Sequence, residues 1–293
     1  MNIFSAFDGM SCAHIALDRA GIRVDKYYAS EIDASAIAIT NKNYPNTIQL
    51  GDIYDIDFNN INDIDILFGG SPCTYWSIAK SNRETTSSGI GFDLFKQYVR
   101  AKEKLKPKYF IYENNASIHK TIQDEITKYL GVSPILINSS LVSAQFRKRL
   151  YWTNIPNITK PNNKDLILRD IIDFSIDNDI NREKNIINPV KCNIKRNKSN
   201  KIANLGRGYQ GQRVYSIDGK SITLTANGGG TGHKTGLYEI NSKIRRLTPN
   251  EAEQLQTVPI DYTKGVSDSQ RYKMLGNGWT INVISHILME IRK

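Results

Sequence analysis

Residues 2–21 read NIFSAFDGMSCAHIALDRAG. NIFSAF has the apolar, β-prone character of a buried strand, and SCAHIALDRAG is spaced like a helix closed by Gly21. The turn FDGMS joins them. KYYAS (26–30) followed by ASAIAITNKNY (34–44) repeats the unit, and DIDILF (63–68) and KYFIYE (108–113) supply two more strands. Strand alternating with helix predicts an α/β fold, a doubly wound, mostly parallel sheet with helical crossovers. Such sheets bind ligands at the carboxyl ends of their strands.

The residues expected at those ends carry chemistry. FDGMS follows the first strand, Glu31 the second, GDI with Asp52 the run NTIQL, and ENN with Glu113 the fifth strand. A small-residue turn followed by two acids suits a nucleoside cofactor. One carboxylate can accept from ribose hydroxyls and the other from an adenine amino group. Taken singly, each acid reads more readily as a cap or turn residue, and it is their occurrence together that points to a cofactor.

After the fourth strand comes GGSPCTYWS (69–77), a cysteine behind two glycines and a proline. A structural cysteine normally sits inside an apolar stretch. One framed by turn formers at a strand tip is a candidate nucleophile.

Composition narrows the classes. The 293 residues carry 39 basic and 29 acidic side chains, a net charge of +10 that favours a polyanionic partner such as nucleic acid. Three cysteines (Cys12, Cys73, Cys192) and four histidines lie scattered with no C-x-x-C spacing, so neither a disulfide framework nor a zinc site is expected. No apolar run reaches the length of a membrane span and no leader pattern opens the chain, so a cytoplasmic protein is expected.

From about Ile155 to Gly208 the alternation gives way to polar, Asn-rich and basic sequence, broken by the amphipathic LILRDIIDF. A glycine-rich region follows, LGRGYQGQRVYSIDGKSITLTANGGGTGHKTGLY, in which RVYSI and SITLTA read as short strands. This predicts a small second domain that presents glycine-rich loops to a partner. The end, YKMLGNGWTINVISHILMEI, reads as a loop leading into an apolar helix.

Taken in order, these motifs resemble those of the DNA (cytosine-5)-methyltransferases over nearly the whole chain. FSAFDGMSCAHIALDRAG is similar to that family's first cofactor loop, GGSPCTYWS to its Pro-Cys catalytic loop and ENN to its Glu-Asn motif. SAQFRKRLYW resembles its Gln-x-Arg-x-Arg motif, RRLTPNEAEQLQTVP the segment closing its recognition domain, and LGNGWTINVISHI its last cofactor motif. GIRVDKYYASEID and DILFGGSPC are also similar to the animal de novo enzymes, and residues 206–238 to the recognition region of bacterial and phage GCGC-type enzymes.

The resemblance implies a methyltransferase-type α/β catalytic domain over residues 1–158 and 270–293, and a small β-rich target recognition domain over 159–269. It implies a monomer using S-adenosyl-L-methionine on double-stranded DNA, bacterial or phage-encoded, with a cognate restriction endonuclease as a possible partner. Cys73 would be the nucleophile, Glu113 the residue bonding N3 and the exocyclic amine, and Arg147 and Arg149, two apart on a strand-like segment, would anchor the base from one face.

The cofactor residues implied are Phe7, Asp8, Gly9, Ser11, Glu31, Ile32, Asp52, Ile53, Leu94 and Asn277. Ser11 stands where the family often has a glycine, and Ile32 where it often has an aromatic residue. For DNA, Gln210 would fill the space left by a flipped base and Arg213 would read guanine. Thr223, Thr225, Gly229 and Gly230 would meet the duplex. Two rival readings remain open, a tRNA cytosine-5 methyltransferase and a DNA-binding protein without catalysis. A dinucleotide oxidoreductase does not fit, because no G-x-G-x-x-G follows the first strand.

Overall fold

The unit expected for residues 2–21 is present as strand β1 (Asn2–Ala6) and helix α1 (Cys12–Ala20), whose C-terminus is closed by Gly21 in the left-handed conformation. The structure is a computed structural model, and it describes residues 1–77, 82–177, 187–227 and 230–293. The chain continues through β2 (Lys26–Ser30), α2 (Ala34–Asn43), β3 (Ile48–Gln49), β4 (Ile66–Gly69), α3 (Ile90–Leu105), β5 (Tyr109–Asn115), α4 (Lys120–Leu130), β6 (Ile135–Asn138) and β7 (Lys148–Thr153). These strands form one sheet in the order β3-β2-β1-β4-β5-β7-β6.

β1 to β5 run parallel, and β7 is antiparallel to β5. The chain winds outward from β1 in one direction and from β4 in the other, so the crevice of a doubly wound sheet opens between them. The α/β class expected from the sequence is therefore the class observed.

One face of this sheet carries an aromatic core. Phe4, Leu67, Phe110, Tyr112 and Trp152 bury themselves with Phe92, Phe95 and Tyr98 of α3 and with Ile122, Ile126 and Leu130 of α4. Tyr112 meets Phe95 at 5.1 Å and Trp152 at 5.8 Å between ring centroids, in tilted or edge-on packing. This rigid face fixes the carboxyl ends of β4 and β5.

Two compact units divide the chain. The first comprises Met1–Ile137, Lys148–Lys160 and Ile284–Lys293, the second Asn138–Arg147 and Pro161–Val283. The second unit holds a five-stranded sheet of β8 (Ile187–Pro189), β9 (Lys201–Leu205), β10 (Arg213–Ser216), β11 (Leu237–Ile240) and β12 (Lys243–Arg245), ordered β12-β11-β10-β9-β8. Its pairs are antiparallel except β10 with β11, which run parallel. A parallel pair needs a long crossover, and residues 217–236 provide it.

Beyond the sheets lie α5 (Pro249–Leu255), α6 (Asp268–Asn277) and α7 (Ile281–Met289). α5 opens with a capping box, in which Thr248 accepts from the Glu251 amide and Glu251 accepts from the Thr248 amide.

Two local expectations fail. SITLTA forms no strand: the Ile222 amide donates to the Tyr238 hydroxyl and the Leu224 amide to the Gln145 side-chain oxygen, so only Ser221 bridges, to Gln145. YKMLGN is helical, not a loop, because Ser267 caps α6 through the Gln270 amide and starts the helix upstream of it.

Candidate active site

In the first unit the turn after β1 is tightly determined. Phe7 and Ser11 both adopt left-handed backbone, φ 56° and 58°. A serine there carries strain that a glycine would not. Its hydroxyl gives a reason for its presence, since it donates to Asp8 Oδ2 at 2.5 Å and lies 3.0 Å from the Thr40 hydroxyl. Asp8 also accepts from the Tyr27 hydroxyl at 2.7 Å. Burial pushes the Asp8 carboxyl up to about 6, against the lowering effect of its hydrogen bonds from Ser11, Ser5 and Tyr27.

At the end of β2, Glu31 draws the turn together. Its Oε2 accepts from the Gly9 amide at 2.7 Å, and its Oε1 from the amides of Ile32 and Asp33, each at 2.8 Å. Beyond β3, Asp52 Oδ1 accepts from the Tyr54 amide at 3.0 Å, and Ile53 is buried beneath. Ile32 leaves 72% of its surface exposed beside these acids. Phe7 packs on the aromatic core and Leu94 of α3 is half-buried. Two carboxylates with spare lone pairs, an uncovered apolar side chain and a buried isoleucine form a donor set that fits a nucleoside. Asn277, at the end of α6, belongs to the second unit.

β4 leads into a 3-10 turn, Cys73–Tyr75. The Cys73 side chain lies outside what the structure describes. The turn is held on its β4 side by the Asn114 amide, which donates to the Ser71 carbonyl at 3.2 Å, and by a 2.6 Å bond between the Ser71 and Tyr112 hydroxyls.

Glu113 is 7% exposed, and its Oε1 lies 2.9 Å from Arg149 Nε. This pair sits on neighbouring strands, β5 and β7.

Arg147 is placed differently from Arg149. It is 2% exposed and belongs to the second unit, where its guanidinium donates to the carbonyls of Leu224, Gly276 and Gly278 at 3.2, 3.0 and 2.9 Å. The expected shared face is not what the structure shows, because the strand begins only at Lys148. Gln145 also works within this unit, donating from Nε2 to the Leu255 carbonyl and Gln256 Oε1.

The glycine-rich loops of the second unit interlock. Gln210 lies in a 3-10 turn with Gly211, and Arg213 begins β10 with its side chain exposed. A Cβ on Gly232 would come within 2.5 Å of the Gly211 carbonyl oxygen, so only glycine permits this approach. The His233 ring covers the other side of Gly211. Thr223 and Thr225 donate inward, to the carbonyls of Phe146 at 2.6 Å and His233 at 2.8 Å, so these hydroxyl protons do not point outward as expected. Gly230 is exposed, and Gly229 lies outside the described residues. A cavity of about 260 Å³ beside this loop is lined by Gly230, Lys234, Arg246, Ser269 and Tyr272.

Sequence reading missed Lys220. It is 2% exposed, and its ammonium donates to the carbonyls of Ser140, Ser143 and Leu166, which uses all three of its protons. Burial lowers its pKa.

Among the described residues no group of histidine, cysteine and acidic side chains could hold a metal ion, and no helix is long and apolar enough to cross a membrane.

Comparison with known proteins agrees with this arrangement. The chain is 29% identical over 317 residues to the type II methyltransferase M.HhaI of Haemophilus parahaemolyticus, covering 99% of this chain and 94% of that one. It is 27% identical to M.Bsp6I of a Bacillus strain, covering 100% and 99%. In structure it resembles the Entamoeba histolytica methyltransferase EhMeth, with a TM-score of 0.72 over 100% of this chain and 99% of that one at 16% identity, which speaks for the fold. The family of C-5 cytosine-specific DNA methylases matches residues 1–293 without remainder, and the chain belongs to that family.

Proposed function

We propose that this DNA methyltransferase uses S-adenosyl-L-methionine to methylate carbon 5 of a cytosine flipped out of duplex DNA, within a short GC-containing site of the GCGC type. The observation that carries the reading is the Glu113–Arg149 ion pair on the two strands beside the Cys73 turn.

The residues fit the cofactor. Glu31 would accept from ribose hydroxyls, Asp52 from the adenine amine, and Ile32 and Ile53 would cover the ring, with residues 7–11 around the remainder. When bound, the cofactor supplies an electrophilic methyl group on a sulfonium.

Cys73, as thiolate, adds to carbon 6 of the base. The Sγ–C6 bond forms, the C5–C6 π bond opens, and its electron pair makes carbon 5 nucleophilic. Glu113, in its protonated form, would donate to N3 and accept from the exocyclic amine, and passing its proton to N3 would relieve the charge on the ring. Arg149 keeps the Glu113 carboxyl oriented. After carbon 5 is methylated, its proton passes to a base, the Sγ–C6 bond breaks and the ring is restored as 5-methylcytosine. By the family resemblance, Asn277 would also contact the cofactor.

For recognition, Arg213 and Gln210 stand exposed on the interlocked loops, and Lys234 and Arg246, with Asp268, line the cavity beside them. We place the enzyme as a cytoplasmic bacterial or phage-encoded monomer, with a cognate restriction endonuclease as its candidate partner. The residue division into a catalytic domain (1–158, 270–293) and a recognition domain (159–269) belongs to the same reading.

Bisulfite sequencing of DNA from cells expressing the protein, beside cells expressing Cys73→Ala, tests it. Protected cytosines in one short context, absent with the variant, are expected. If no cytosine in DNA is protected while tRNA accepts labelled methyl groups, the substrate assignment is wrong.

A further inference from the structure

Eleven residues beyond the nucleophile, in sequence that matched none of the motifs above, Glu84 makes an unusual set of contacts. Its own amide donates to the Tyr75 carbonyl at 2.8 Å. Its carboxylate accepts from the Trp76 indole Nε1 at 3.1 Å, and from the Gly91 amide at 3.2 Å to one oxygen and 3.3 Å to the other. Trp76 is fully buried in the aromatic core. Gly91 is the second residue of α3, whose N-cap, Gly89, has no side chain to cap it.

Glu84 therefore does three things at once. It satisfies the indole of a buried tryptophan, caps a sixteen-residue helix from outside, and holds the backbone of Tyr75. The surroundings are shaped to admit it. A Cβ at Gly89 would overlap the Glu84 carboxylate, and one at Gly91 would lie 2.7 Å from Trp76 Nε1 and 2.9 Å from Glu84 Oε2. Next to it, Arg83 Nη1 donates to the Ser117 carbonyl at 2.7 Å, just past the end of β5.

The turn that bears Cys73 is thus fastened on both sides. Asn114 and Tyr112 hold Ser71 before it, and Glu84 holds Tyr75 and Trp76 behind it. We propose that Glu84 is a positioning residue for the nucleophilic step: through Trp76 and α3 it sets where the Cys73 turn stands when the thiolate attacks. It touches neither base nor cofactor. This rests on the covalent mechanism proposed above.

The test uses the full-length enzyme, saturating cofactor, and duplex DNA carrying 5-fluorocytosine at the methylation site. Fluorine cannot leave carbon 5 as a cation, so the adduct accumulates and its rate of formation is read from a denaturing gel. Glu84→Ala is expected to slow adduct formation and kcat by about tenfold or more while KM for DNA and cofactor stays within about twofold, since a small misplacement of a reacting group acts on the chemical step. Glu84→Gln, which keeps one acceptor for two donors, recovers part of the rate.

Trp76→Phe, which removes the indole donor together with part of the ring, slows the reaction in the same sense, and the Glu84→Ala/Trp76→Phe double variant is no slower than the more impaired of the two single variants. Adduct formation at the wild-type rate in Glu84→Ala, or a purely additive double variant, overturns the proposal. If Glu84→Ala does not fold, Trp76→Phe decides, and an unchanged rate in that variant has the same consequence. Failure of the wild-type protein to trap any adduct would instead remove the covalent mechanism itself.

Discussion

Arg149 lies across the β5–β7 ladder from Asn115, and its Nε reaches diagonally to Glu113, 2.9 Å away, with both side chains about nine-tenths buried (12% and 9% exposed). A carboxylate so placed is oriented by its strand on one side and by a fixed cation on the other.

Glu113→Gln keeps the shape and removes the charge. We expect kcat to fall by about 10²–10⁴-fold, the range for loss of a proton-handling group, with much less change in KM for DNA. Single-turnover kinetics measure this, and a variant keeping more than a tenth of the wild-type rate would exclude the role. Arg149→Ala leaves the carboxylate buried without its partner and should cost about 3 kcal/mol in urea unfolding.

Arg147 has a different duty, and its variant should show a different signature. Arg147→Ala takes a donor from three carbonyls in the second unit, two of them flanking Asn277, and Gly278 keeps another side-chain donor, Gln256 Nε2. Leaving buried acceptors unmade costs about 1–3 kcal/mol each, so a loss of at least about 2 kcal/mol is expected, together with a raised KM for the cofactor. Calorimetric melts and initial rates against cofactor concentration check both. An unchanged cofactor KM in folded protein would remove Asn277 from the proposed cofactor residues.

Asp8 makes stability depend on pH. Its carboxyl, raised to about 6 from an ordinary 3.8, favours the folded state most when protonated, below the ordinary value. That contribution is lost as pH rises through about 6, and at about 1.4 kcal/mol per unit it amounts to about 3 kcal/mol. Asp8→Asn cannot ionise, so its stability relative to wild type should improve by that order between pH 4 and pH 7.5. Urea melts at the two pH values that give the same difference would remove Asp8 as the source.

Gly232→Ala would force a methyl group against the Gly211 carbonyl oxygen and to 2.7 Å from Leu237 Cγ. Backbone and core both resist, so about 1–3 kcal/mol of stability should be lost, with the two loops displaced from each other. Weaker binding to the cognate duplex, with cofactor binding unaltered by calorimetry, is the expected pattern. Unimpaired duplex binding would show that the loops read DNA independently.

Much of this site was legible from residues alone because strand ends announce themselves. Glu31, Asp52 and the Cys73 turn each follow an apolar run, and the doubly wound sheet places such residues along one edge. What failed is equally specific. The two-residue spacing of Arg147 and Arg149 implied one face, but periodicity holds only within a strand, and the strand starts between them. Thr223 and Thr225 lay in an apparent strand whose amides are claimed by Tyr238 and Gln145, a fact of tertiary packing that no local pattern encodes. Lys220 and Glu84 were invisible for a related reason. A lone charged residue in a polar stretch looks solvated until the carbonyls or amides around it are known.

The crossover between β10 and β11 bears on how such an enzyme changes its target over evolutionary time. Two parallel neighbours cannot be joined by a tight turn, so residues 217–236 have to be long whatever they spell. Length is demanded by topology, while much of the exposed content is free to drift. If this segment reads DNA as proposed, a lineage could rewrite its exposed positions, and with them the sequence being marked, without disturbing strand order. Diversity of specificity is, on this view, a by-product of one strand running in the same direction as its neighbour.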